Sequence, residues 1–349
     1  MKISNFKPLF LTLISMSYGV SAASFCVAPK GVAIDMGGQT SIIVWDAETK
    51  TQHFFRKAGF ETSSPDFSFI TPTPTVPSFG KADPKAFEQI RTVIRTFYTP
   101  RSLGAALERG SDSISESSVE VLQTVEVAGY EIKTLRADDA TALETWLNEN
   151  KYETPPGIKS WLNYYIKKKW VLSAFKFKKK PDQKEGEVSS SLIRMSFKTD
   201  KPFHPFYVPT ENLKGANGMA NIYFISSSAY KVSNPNLPIS SDVTGVIPSR
   251  AAKEISQSLS DENVKIDIVN NPVIHSFSGR FNSAIKEDAY FELTVGSVPD
   301  VIKNSEANRR KPTISERVRI TELLPAIIGF SLVGIGIASW LATRIKTKK

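Results

Sequence analysis

The chain is poor in the residues that build metal and nucleophile sites. Among 349 residues there is one cysteine, Cys26, and there are three histidines, His53, His204 and His275. A single thiol excludes an intrachain disulfide, so burial must hold the fold, which a chain of this length can manage without covalent staples. The histidines lie far apart, with no cysteine or paired carboxylate at ligand spacing, and neither HExxH nor GxSxG occurs. Nothing in these patterns points to a metal, a cofactor or a serine nucleophile. Charge of one sign is also scarcer than the total suggests. The net charge is +9, but Lys2, Lys7, Arg344, Lys346, Lys348 and Lys349 belong to the two ends and leave +3 for the body. So mild an excess does not favour nucleic acid as a partner.

The ends carry their own patterns. Lys2 and Lys7 precede an apolar stretch from Pro8 to Val20, and Ser21, Ala22 and Ala23 follow. That is the tripartite order of a signal peptide over residues 1–23, with cleavage after Ala22 or Ala23 meeting the small-residue requirement. Cys26 then lies just past the cut, but Phe25 stands where a lipid-attachment motif needs a small residue, so Cys26 reads as a plain thiol. From Leu323 to Thr343 there is no charge, and about 20 such residues suffice to cross a bilayer. The basic tail at 344–349 predicts that this single-pass transmembrane helix ends in the cytoplasm, below a polar stalk at 303–322. Gly334, Ala338 and Ala342 give the span a smooth face suited to helix-mediated self-association. The body, 24–302, is expected to face outward, in the periplasm or outside the cell.

With 41% hydrophobic and 23% charged residues the body has a folded composition. Ser41 to Trp45 and Thr51 to Arg56 flank a polar turn and predict a hairpin. Thr71 to Pro77 predicts a stiff extended passage. Pro84 opens a helix whose Phe87, Ile90, Val93, Ile94 and Phe97 share one face. Val119 to Val127 and Tyr130 to Leu135 predict a second hairpin around Gly129. Asp138 is expected to cap a helix carrying Leu143, Trp146 and Leu147, and Pro155-Pro156 to open another through Trp161 and Tyr165. Strands are expected at 171–177, 192–197, 222–225, 264–269 and 290–295, and a short helix at 251–259. The expected class is α+β, a mainly antiparallel sheet with a few inserted helices and one C-terminal transmembrane helix. Loops at 110–118 and 181–190 are the candidate breaks between two subdomains.

Two stretches invite a functional reading. Asp35-Met36-Gly37-Gly38-Gln39-Thr40, after an apolar run, has the form of the first phosphate loop of actin-like ATPases, whose glycines let backbone N–H groups approach phosphate. A second loop is needed, and Asp242-Val243-Thr244-Gly245 is a poor match. The alternative is a glycine turn. Farther on, Lys167, Lys168, Lys169, Lys178, Lys179 and Lys180 interleave with Trp161, Tyr164, Tyr165, Trp170, Phe175 and Phe177. Cations among aromatic rings suit an anionic surface such as an acidic envelope polymer or a lipid headgroup. The alternative is that the rings point inward while the lysines solvate the outer face.

The stretches TSIIVWDAETKTQHFFRKAGF and PDFSFITPTPTVP, then LETWLNENKYETPPGIKSWLNYYIKKKWVLSAFKF and LIRMSFKTDKPFHPFYV, occur in that order. Together they resemble the domain-of-unknown-function 2330 family over roughly residues 40–230, with Asp66, Phe67, Pro72 and Pro74 as its aspartate–phenylalanine and proline-x-proline passage. The resemblance implies an exported bacterial protein, assigns no activity, and supplies no catalytic residues. Cys26 stands alone where the family implies more cysteines. The resulting expectation is a membrane-anchored envelope protein that binds or organises a polymer or protein partner. A tethered hydrolase of envelope material is the alternative, and an actin-like nucleotide-binding protein a more distant one.

Overall fold

The computed structural model describes residues 39–57, 68–97, 119–150, 157–177, 192–208, 218–268, 272–281 and 285–295, with short pieces at 20–21, 24–27, 34–35, 61–62, 152 and 154. The chain begins with β1 (Val20–Ser21), β2 (Ser24–Val27), β3 (Ile34–Asp35), β4 (Gln39–Asp46), β5 (Thr51–Lys57) and β6 (Glu61–Thr62). There follow β7 (Ser68–Thr73), β8 (Ser78–Ala82), α1 (Lys85–Phe97), β9 (Val119–Val127) and β10 (Tyr130–Ala137). Next come α2 (Ala140–Glu149), α3 (Ile158–Lys167), β11 (Val171–Phe177), β12 (Leu192–Lys198) and β13 (Phe203–His204). The last are β14 (Gly218–Ser226), β15 (Tyr230–Val232), β16 (Ile239–Val246), α4 (Ser249–Leu259), β17 (Val273–Phe281) and β18 (Ala289–Leu293).

Two large sheets organise these elements. One has seven strands in the order β16-β17-β14-β4-β5-β12-β8, and the other six in the order β1-β2-β7-β11-β10-β9. A three-stranded sheet, β13-β18-β15, and the small pair β3-β6 complete the set. Among the described residues every ladder is antiparallel except that between β14 and β4.

The strands alternate with period two, but both of their faces are apolar, so each large sheet is covered twice. From the seven-stranded sheet, Ile43, Phe54, Met195, Ile222 and Phe277 meet Phe69, Ile132 and Phe175 of the six-stranded sheet in a shared inner core. The opposite face of the seven-stranded sheet, with Ile42, Val44 and Phe55, is covered by Phe87, Ile90 and Val93 of α1 and Ile255 and Leu259 of α4. The opposite face of the six-stranded sheet, with Ile70, Leu172 and Ala174, is covered by Leu143 and Leu147 of α2 and Trp161 and Tyr165 of α3. The layers therefore run helix, sheet, sheet, helix. Phe203, Phe206 and Phe291, in and beside the three-stranded sheet, close one side of the inner core.

This corrects the expected α+β fold with a C-terminal transmembrane helix. Among the described residues the architecture is mainly β, with four helices of 10 to 13 residues. None is long and apolar enough to cross a membrane, which takes about 20 residues. The transmembrane and single-pass expectations are corrected with it. Residues 323–343, on which they rested, lie outside the described residues, as do the stalk, the basic tail and the loops at 110–118 and 181–190. Of the signal segment only Val20–Ser21 is described, as strand β1 paired with β2. The chain divides into two units, Met1–Ser305 and Glu306–Lys349, and all the elements described here belong to the first.

Local chemistry explains where the strands and helices begin and end. Ala128 and Gly129, at φ 55° and 84°, form the tight turn joining β9 to β10, a two-residue loop whose positive φ values match strand twist. The cap of α2 is Asp139, one residue beyond the expected Asp138; its Oδ1 accepts from the amides of Thr141 and Ala142 at 2.5 and 3.1 Å. The expected stiff passage at 71–77 begins as strand instead. β7 runs through Pro72, which faces Leu172 of β11. On its other side β2 pairs only with Ser68, Phe69 and Ile70, so the missing N–H of Pro72 interrupts no ladder there.

The expected strand at 264–269 is a correction of another kind. Val264 to Ile268 alternates and buries Ile266 and Ile268, yet it joins no sheet. The amides of Ile266 and Ile268 donate instead to Ser260 Oγ and Ser256 Oγ, at 2.8 and 3.0 Å. Serine hydroxyls at the end of α4 thus replace a ladder.

Gly80, in the outermost strand of the seven-stranded sheet, stands opposite Arg194 of β12. Arg194 is 1% exposed and pairs with Asp261 at 2.9 Å. A Cβ on Gly80 would collide with both side chains. Separating a buried ion pair leaves an uncompensated charge, at a cost of several kcal/mol. Gly80→Ala is therefore expected to lower unfolding stability by about 2 kcal/mol or more, measured by urea titration. A loss below about 0.5 kcal/mol would show that the pair moves aside freely.

Candidate functional site

α3 ends in a close that sequence alone does not reveal. The amide of Lys169 donates to the carbonyl of Ile166 at 2.8 Å, and that of Trp170 to Tyr165 at 3.1 Å. Lys169 has φ 58°, and the Trp170 ring stacks on Tyr165 with centroids 5.5 Å apart. These are the two reverse hydrogen bonds and the apolar contact of a Schellman close. Glycine ordinarily takes the left-handed position. A lysine there costs on the order of 1 kcal/mol.

Within this close, Lys168 Nζ lies 2.7 Å from Asp288 Oδ2 and donates to the hydroxyls of Tyr164 and Tyr290 at 2.8 and 3.3 Å. The ammonium sits 4.0 Å from the Tyr164 ring centre, 4.8 Å from that of Trp170 and 5.5 Å from that of Tyr290. Asp288 is buried, and its Oδ1 accepts from Tyr165 Oη at 2.7 Å and from the amides of Phe206 and Tyr207 at 3.0 and 3.3 Å. Burial alone would lower the Lys168 pKa, but the Asp288 charge and its hydrogen bonds outweigh this and raise it. Burial, aided by Asp288, pushes the Tyr164 hydroxyl up to about 12. Tyr164 stacks on Tyr207 at 3.8 Å. The result is a half-buried group of rings, Tyr164, Trp170, Tyr207 and Tyr290, with Lys167 and Lys169 exposed beside it.

The lysines named from sequence thus divide. Lys168 is an internal clamp, Lys167 and Lys169 reach solvent, and Lys178, Lys179 and Lys180 lie outside the described residues. Of the interleaved aromatics, Trp161, Tyr165, Phe175 and Phe177 are buried. Asp288, Tyr207 and Tyr290 were missed, because some 120 residues separate Asp288 from Lys168 and no spacing links them.

A concavity of about 290 Å³ opens where β4 and β14 end. Val44, Ile225, Ile266 and Ile268 line it together with Asp46, Glu48, Lys265, Asp267 and His53. His53 Nδ1 is 2.8 Å from Ser196 Oγ. Burial, with the Arg194 charge, lowers the His53 pKa to about 4. Burial tends to raise the Asp46 carboxyl, but hydrogen bonds from Thr49 and the Glu48 amide hold it below its ordinary value.

The three histidines are not brought together. His275 accepts the Tyr230 amide on Nε2 at 2.9 Å, which places its proton on Nδ1, facing Thr244 Oγ1 at 2.9 Å. His204 is buried against Phe54 and Phe206. Among the described residues no group of three His, Cys, Asp or Glu side chains could hold a metal. Of the candidate phosphate loop, Asp35 lies in β3 and residues 36–38 are outside the described residues. In the proposed second loop, Asp242 accepts from the hydroxyls of Ser240 and Ser278 at 3.1 and 2.9 Å. Gly245 lies so close to the Phe97 ring of α1 that a Cβ would not fit. Both residues serve packing of β16 against its neighbours.

Residues 20–270 match the family described as an uncharacterised protein conserved in bacteria, DUF2330, and the chain belongs to that family. No curated protein matches. Among solved structures the chain is similar to the crystal structure of baculovirus P35, with 10% identity and a TM-score of 0.35, over 76% of this chain and 99% of that one. A likeness at that score carries no argument about function.

The buried imidazoles make a pH prediction. Burial lowers His204 to about 3 and His275 to about 4, against about 6.5 in an unfolded chain. Below about 6.5 the unfolded state therefore binds protons that the fold refuses, so stability is full above that pH and falls toward pH 4. Urea midpoints are expected to drop steadily from pH 7 to pH 4.5, and His204→Phe to flatten that slope. An unchanged slope would mean that His204 is protonated within the fold.

Proposed function

We propose that this is an exported bacterial binding protein that contacts an anionic polymer of the cell envelope through the end of α3. The observation that carries the proposal is Lys169, a charged residue held in a backbone conformation that glycine adopts at lower cost. Strain of this kind collects at functional positions. Its neighbours supply the rest of a recognition surface. Half-buried rings offer apolar edges against which a sugar can pack, and two exposed lysines offer charge. The Lys168–Asp288 clamp fixes the rings in place, so binding need not order them. Export is supported by the order of Lys2, Lys7, the apolar stretch and the small residues at 21–23.

The test is retention of the full chain on immobilised polygalacturonate, with neutral dextran as control. Binding is expected to polygalacturonate only, and to weaken as salt rises from about 50 to 300 mM. The double substitution Lys167→Ala with Lys169→Gly is expected to lower affinity about tenfold. Lys169→Gly alone should keep or raise thermal stability, since glycine relieves the strained position. Equal retention on dextran, or an unaffected double variant, would sink the proposal.

A further inference from the structure

We infer that the concavity beside His53 is a second binding site, one that takes a small organic amine in its ammonium form. Three carboxylates, Asp46, Glu48 and Asp267, stand around the space against a single lysine, Lys265. Asp46 is committed to its own turn, where its Oδ1 accepts from the amides of Glu48 and Thr49 at 3.0 and 3.1 Å and its Oδ2 from the Thr49 hydroxyl. Those bonds hold it ionised at the mouth. Glu48 and Asp267 are exposed, and among the described residues neither carboxylate forms an ion pair. Among the lining side chains the surplus is negative, and a cation would balance it.

His53 fits that polarity. Its Nδ1 is occupied by Ser196 Oγ, and the ring lines the space, so Nε2 is the nitrogen left for a ligand. Because burial, with the Arg194 and Lys198 charges, keeps the imidazole neutral above about pH 4, His53 itself adds no positive charge to repel an ammonium group. The contact to Ser196 fits either tautomer, and in the one whose Nδ1–H donates to Ser196, Nε2 accepts an N–H of the ligand. Part of the lining is apolar, formed by Val44, Ile225, Ile266 and Ile268, all buried. A neutral acceptor and carboxylates beside an apolar lining match an amine on a short hydrocarbon body rather than a bare metal ion. The volume of about 290 Å³ suits a molecule of that size.

The experiment is titration of the full chain at pH 7 with pentylamine, 1-pentanol and pentanoate, following the His53 ring signals by nuclear magnetic resonance. His53→Asn assigns those signals. Pentylamine is expected to shift them saturably, while pentanol and pentanoate at the same concentrations do not. Glu48→Gln with Asp267→Asn should weaken the amine about tenfold with an unchanged melting temperature, because both side chains are exposed. Lys167→Ala with Lys169→Gly should leave amine binding intact, which separates this site from the end of α3. A pentanoate or pentanol shift as large as that of the amine would overturn the inference. So would full amine affinity in the carboxylate variant, or its loss in the lysine variant.

Discussion

Away from the edge strands β9 and β16, neither large sheet has a wet face, and the rest of the molecule follows from that requirement. A strand such as β4 must send Ile43 and Trp45 one way and Ile42 and Val44 the other, each into a packed layer. Sheets of this kind need cover on both sides, and the cover comes from four short amphipathic helices and from each other. Some polar side chains inside the layers tie neighbouring elements together. Gln52, fully buried, exchanges hydrogen bonds of 2.8 and 2.9 Å with the backbone of Phe203 and so joins the seven-stranded sheet to β13. Trp45 does similar work, donating its indole N–H to Tyr230 Oη at 3.0 Å.

Asp288 makes a more demanding tie of the same kind. A buried carboxylate is tolerable when its oxygens are filled, and here a lysine, a tyrosine and two backbone amides fill them. The groups come from α3, from the segment after β13 and from the residues before β18. One carboxylate therefore fixes the position of three stretches of chain. The end of α3 is rigid for that reason, and its two outward lysines project from a stiff base instead of a loose helix end.

Much of this was legible in the residues. The hairpin around Gly129, the helix face of Phe87, Ile90 and Val93, and the strand from Val171 all emerged with their period and turn chemistry intact. What failed to show were features whose partners are remote. β16 reads as ISSDVTGV, too polar for a strand by pattern, because it sits at a sheet edge where only its last residues are buried. β8 is short and holds Gly80 for a reason that lies in Arg194 and Asp261. Val264 to Ile268 has the alternation of a strand, and only the Ser256 and Ser260 hydroxyls reveal that its hydrogen bonds go elsewhere. The Lys-rich run was visible as chemistry, but which lysine turns inward depends on Asp288. The stacking of helix, sheet, sheet and helix was equally hidden, since periodicity says that a face is apolar without saying what meets it.

The serine-held strip from Val264 to Ile268 has a consequence for motion. A ladder strand is released only when its neighbours separate, whereas this strip depends on hydroxyls carried by the last turn of α4. Helix ends fray more readily than sheets open. When that turn unwinds, Ser256 and Ser260 withdraw together, and the amides of Ile266 and Ile268 lose their acceptors in the same event. Hydrogen exchange at Ile266 and Ile268 is therefore coupled to the end of the helix instead of to the sheet beneath it.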